Sequence, residues 1–161
     1  MAEGFPIFDC EQPGPGSPPA MTVRAVARPP LTQQLARWGV GALLGLAGTS
    51  HLTFLRKEFR AQVPPWVPMD ADDVVLLSGA VEISLGLGLL ALPKERRRMA
   101  GLATAFFVGV FPGNIAQYRN RVSGLGLDTD AKRLLRLFIE PVLWGAALHA
   151  GGLLPGTADR R

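Results

Sequence analysis

Four apolar stretches dominate the chain: Trp38–Leu55, Val74–Leu92, Met99–Tyr118 and Leu137–Leu154. Each is about long enough to cross roughly 30 Å at about 1.5 Å of helical rise per residue. Inside them the only formal charges are Glu82 and Glu140; every Lys and Arg lies between or beside them. Helices of a water-soluble bundle would show a charged stripe recurring about every 3.6 residues, and no such stripe is present. The links are short, which makes consecutive spans antiparallel neighbours. The expected fold is therefore all-α: an integral membrane, up-down four-helix bundle.

The small residues refine this picture. Gly41, Gly45 and Gly48 recur every three to four residues along the first span, and Gly79 and Gly86 repeat the pattern on the second. Such faces permit close helix approach. The first helix is expected to begin near Thr32. After it, Val63-Pro64-Pro65-Trp66-Val67-Pro68 forbids helix, with Trp66 placed as an interfacial anchor and Phe54–Val63 as a short amphipathic stretch along the membrane surface. Asp70, Asp72 and Asp73 are expected to cap the second helix rather than to bind calcium, and Asp128 or Asp130 to cap the fourth. Pro112 is expected to kink the third.

Residues 1–30 hold seven prolines and three glycines and no apolar run suited to a signal-peptide core, so they read as a disordered tail. Met21 is an alternative start. Residues 31–155 form the helical domain and 156–161 a polar carboxy-terminal tail. The formal net charge of +4 gives no nucleic-acid surface, because the basic residues cluster at the ends of the apolar stretches, where they anchor spans at lipid headgroups. The bilayer is the expected partner, nucleic acid is excluded, and a second copy of the chain stays open. Nine basic residues fall on the side of the two termini and eight on the other. The dense link Lys94–Arg98 tips the expected orientation in the cell membrane towards cytoplasmic termini. The lone Cys10 excludes a disulfide within the chain, and two histidines without nearby cysteine argue against a structural metal site.

Threading the spans alternately brings six polar residues to the half of the membrane away from the termini: His51, Ser78, Glu82, Asn114, Arg136 and Glu140. Polar groups at such depth are costly against lipid and are expected to face one another. Arg136 and Glu140, spaced i, i+4, are placed to pair, and Glu82 to meet His51. The cluster reads either as a knot that fixes packing or as the lining of a cavity for a quinone headgroup, a small polar molecule or a proton path. His149 lies towards the other face, so paired histidine ligation of haem is not expected.

The ordered set Gly48-Thr49-Ser50-His51-Leu52, Val63–Pro68, Ser78–Glu82, Leu87–Leu90, Arg96–Arg98, Phe111–Ile115, Arg136-Leu137 and Trp144 resembles DoxX-type membrane proteins over roughly Trp38–Leu148. Family members commonly show His-Phe at His51-Leu52, Pro-Ala-Asn at Pro112–Asn114 and glutamine at Glu140. The resemblance implies a four-helix membrane protein, not an enzyme on its own, acting as an accessory subunit of a quinone-linked membrane redox system, with quinone as the candidate ligand and a membrane oxidoreductase as the partner. A proton-coupled or small-molecule permease titrating at Glu82, and a structural or assembly factor, are the alternatives.

Overall fold

A computed structural model describes residues 29–155 and is all-helical, with no strand among them. The elements are α1 (Leu31–Leu52), α2 (Arg56–Phe59), α3 (Ala71–Ala91), α4 (Arg96–Arg119) and α5 (Asp130–Gly151), with single 3-10 turns at Arg60–Gln62 and Pro93–Glu95. The expectations for the two tails, including the alternative start at Met21, lie outside the described residues.

Local chemistry sets the helix ends. The Pro30 carbonyl accepts from the backbone N–H groups of Gln33 and Gln34, serving two donors that α1 itself cannot satisfy. Asp70 caps α3 as expected, its side chain accepting from the Asp72 N–H at 2.8 Å, and Asp72 and Asp73 place negative charge in the first turn. The α5 cap differs from expectation. Thr129 fills the position, accepting from the Lys132 N–H, because Asp128 and Asp130 are drawn off to Lys132 Nζ at 2.6 Å and Arg133 Nη1 at 2.7 Å. At its far end α5 stops on Gly152, whose φ of 65° lets its own N–H reach the His149 carbonyl while the Leu153 N–H reaches that of Leu148. Helix α4 continues through Pro112.

The four long helices pack in a ring, α1 on α3, α3 on α4, α4 on α5 and α5 on α1. The glycine faces explain the closest of these contacts. A Cβ on Gly48 would stand 2.5 Å from the Gly79 carbonyl oxygen, so the α1 and α3 backbones touch where side chains would normally hold them apart. Val40, Leu44, Leu85, Leu89, Ala100, Ala103, Phe107 and Ala147 form the apolar core. Large hydrophobic side chains also face outward on all four helices, among them Leu46, Leu77, Leu102 and Phe138.

Two helical segments, Ala71–Ala91 and Pro93–Arg119, are long and apolar enough to cross a membrane. The sequence pattern suggested four. The difference lies at the ends of α1 and α5: the window Trp38–Leu55 runs past the end of α1 at Leu52, and the window Leu137–Leu154 runs past the stop at Gly151. What remains of each helix includes its polar first turns, with Gln33, Gln34 and Arg37 in α1, and Lys132, Arg133 and Arg136 in α5.

Candidate functional site

At the end of the ring where α1 and α4 finish and α3 and α5 begin, the helices part around a cavity of about 190 Å³. His51, Ser78, Glu82 and Arg136 supply its polar side, and Val67, Val74, Val75 and Val110 much of its apolar wall. The segment between α1 and α3 roofs it with Phe59, Gln62, Pro64 and the largely exposed Trp66.

The four polar side chains come from three helices: His51 from α1, Ser78 and Glu82 from α3, and Arg136 from α5. His51, in the last turn of α1, is only 6% exposed, and Glu82, midway along α3, is 7% exposed. Glu82 Oε2 approaches His51 Nδ1 at 3.1 Å. Ser78 Oγ stands 3.4 Å from the same nitrogen while donating to the Val75 carbonyl at 3.0 Å. With the hydroxyl proton aimed at that carbonyl, two oxygens present lone pairs to Nδ1, an arrangement suited to a proton on that nitrogen. Glu82 Oε2 meets Nδ1 as a close ionic approach without an aligned hydrogen bond, and His51 Nε2 and Gln62 Nε2 also have no hydrogen-bond partner among the described residues. Phe59 stands edge-on to the His51 ring, with centroids 3.6 Å apart.

Arg136 joins this group to a second one. Its Nη1 lies 3.2 Å from Glu140 Oε1, the i, i+4 pair expected from spacing, and Asn114 Nδ2 donates to the same oxygen at 2.7 Å. Glu140 is 1% exposed and Asn114 3%. The Arg136 charge acts on His51, Glu82 and Glu140 alike, and the two carboxylates repel one another. Thus four of the six polar residues singled out from the sequence line the cavity. Asn114 and Glu140 stand behind it and fix Arg136. With Arg136 and Glu140 opposed, and His51 facing Glu82, opposite charges or a shared proton balance within the group.

The roof is fastened from outside. Arg56 Nε donates to Asp72 Oδ1 at 2.7 Å and Nη2 to Oδ2, a two-pronged contact across α2 and α3. Glu58 Oε2 accepts from the Leu125 N–H at 2.9 Å. Gly113 completes the seat: a Cβ there would come within 2.7 Å of the Gln62 carbonyl oxygen, so the roof backbone lies directly on α4. Phe59 and Gln62 were not foreseen from the sequence. The clue was the small-residue face of Gly109, Gly113 and Ala116 beside Pro112, which leaves room for another segment to lie against α4. Among the described residues no three His, Cys, Asp or Glu side chains gather as a metal site would require.

Residues 40–150 match a family described as a domain of unknown function, DUF8561. The chain belongs to that family. No curated protein and no solved structure matches it. The assignment overturns the resemblance to DoxX-type proteins. The motifs behind that resemblance are ones that any small bundle of apolar helices needs: glycine faces for close packing, prolines in a roof, and basic links at helix ends. With the resemblance go the implications it carried, including the comparison of Glu140 with a family glutamine.

Proposed function

We propose that the chain is a multi-pass membrane bundle that binds a small, neutral, mostly apolar molecule with one polar end in the cavity beneath the roof. The observation that carries this reading is the cavity itself, with valines on one side and His51, Ser78, Glu82 and Arg136 on the other. A cavity of roughly 150 Å³ accepts a benzene ring, so about 190 Å³ suits one ring with small substituents. Because the surrounding charges oppose one another, a neutral ligand fits better than an ion. The outward-facing hydrophobic side chains on all four long helices, against polar residues turned inward, support the membrane setting, in which α1 and α5 cross with their polar turns near the headgroups. The basic link Lys94–Arg98 favours cytoplasmic termini in the cell membrane.

A quinone headgroup is one molecule of this class. A second reading, a proton-coupled permease, draws on the 3.1 Å approach of His51 and Glu82. The test is purification of the full chain in native lipid, followed by mass spectrometry of bound small molecules and proteins. Wild-type protein is expected to carry a neutral ring compound. The Glu82→Gln variant, folded by thermal unfolding, is expected to carry much less. Empty wild-type protein, or equal loading of the variant, counts against the ligand-binding reading. Proton uptake on substrate entry into vesicles would favour the permease.

A further inference from the structure

The opposite end of the bundle holds a second polar group that the cavity does not use. Gln33 and Arg37, in the first turns of α1, are 3% and 9% exposed. Arg37 Nη1 donates to the Leu89 and Leu90 carbonyls, the last turn of α3, where free carbonyls carry partial negative charge. That cation is matched. Arg96 is not. Its Nη1 donates at 2.9 Å to Gln33 Oε1, a neutral amide, and it lies close enough to Arg37 and Arg97 for both charges to repel its own.

No carboxylate relieves this among the described residues. The nearby Glu95 is taken by Arg98 at 3.0 Å, and Lys94 and Arg97 are exposed without a partner. The cavity end of the molecule shows that this chain can pair its charges, which makes Arg96 and Arg97, two guanidinium groups with no carboxylate partner among the described residues, an unfinished site. Planar guanidinium forks match the oxygens of a phosphate group.

We propose that Arg96 and Arg97, with Lys94, hold the phosphate of an anionic phospholipid headgroup at this end of the bundle, Gln33 orienting Arg96 and Arg37 adding to the field. This rests on the membrane reading above. The chemistry needed is a phosphate oxyanion, which a free phosphate also offers.

The experiment uses the full chain in a neutral detergent. Its thermal unfolding is followed with added phosphatidylglycerol, phosphatidylcholine or inorganic phosphate. Phosphatidylglycerol is expected to raise the melting temperature and phosphatidylcholine to leave it unchanged. Arg97→Gln, at an exposed position without a hydrogen bond or ion pair among the described residues, should reduce the rise, and Arg96→Gln/Arg97→Gln should abolish it. Lys57→Gln, at the far end, should keep it. In lipid-free detergent the double variant loses the bond to Gln33 as well as the repulsion, so its response to phosphatidylglycerol is read against its own lipid-free melting temperature. A matching rise with inorganic phosphate, lost in the same variants, would assign the site to a free anion instead of a lipid. Equal response to both lipids, or a phosphatidylglycerol effect that survives the double substitution, overturns the proposal. Carbonate washing of membranes keeps the two readings apart: a chain retained in the pellet but indifferent to phosphatidylglycerol loses only this site, whereas a chain released by the wash loses the membrane setting.

Discussion

The two ends of the bundle handle buried charge in opposite ways. At the cavity end, side chain meets side chain: His51 faces Glu82, and Arg136 shares Glu140 with Asn114. At the end near the termini, cations meet backbone and amide: Arg37 lies on α3 carbonyls, and Arg96 on Gln33. A side-chain pair can exchange a proton or let go of one partner, so it suits a site that must respond to a ligand. A cation on a helix end has only fixed dipoles to meet, so it fastens two helices and keeps its charge. The contrast points to a responsive end and a fastened end.

Removing Arg136 should break the responsive end most severely. Arg136→Leu leaves Glu140 buried without its counter-charge, at an expected cost of about 3 kcal/mol, the low end for a broken buried pair because Arg136 is partly exposed. Denaturant unfolding in detergent measures it. Glu140→Gln/Arg136→Leu should recover most of that loss, since an amide tolerates burial beside Asn114; no recovery would mean that the residues do not act as a pair. At the fastened end, Arg37→Leu should cost about 2 kcal/mol through loss of charged hydrogen bonds to the Leu89 and Leu90 carbonyls. It should leave ligand loading in the cavity unchanged, and a loading defect would show that the two ends are coupled.

The smallest effect lies at the α5 start. Hydrogen bonding to Lys132 holds the Asp128 carboxyl below the usual carboxylate range. A depressed folded pKa contributes stability above the ordinary carboxylate pKa and loses it as pH falls through the depressed value. Wild type should therefore lose a little more stability on acidification than Asp128→Asn does. Both groups are exposed, so the gap between the two melting curves should be slight and should shrink further in high salt.

Much of the helical layout was legible because its causes are local. Spacing alone exposed the Gly48 and Gly79 faces, the Asp70 cap and the Arg136–Glu140 pair. The α5 stop was not legible: Leu153 and Leu154 prolong the apolar run beyond a turn that depends on the conformation of Gly152. Nor was the role of Arg37, whose partners are carbonyls 52 and 53 residues away and carry no side-chain signature. Phe59 and Gln62 reach the cavity only because the roof folds back over α4, a path that local pattern does not encode. The family resemblance failed for the complementary reason: its motifs report what close packing of apolar helices requires, which chains of other families share.

The clasp between Arg56 and Asp72 lies outside the cavity it closes. If a ligand of the proposed kind enters by lifting the roof, the clasp sets a barrier to its entry that the ligand's own chemistry does not set. Entry rate would then be set by a surface contact that the ligand never touches, while the valines and the His51–Glu82 group set affinity and, through it, residence time. Two ligands of very different affinity could enter at the same speed.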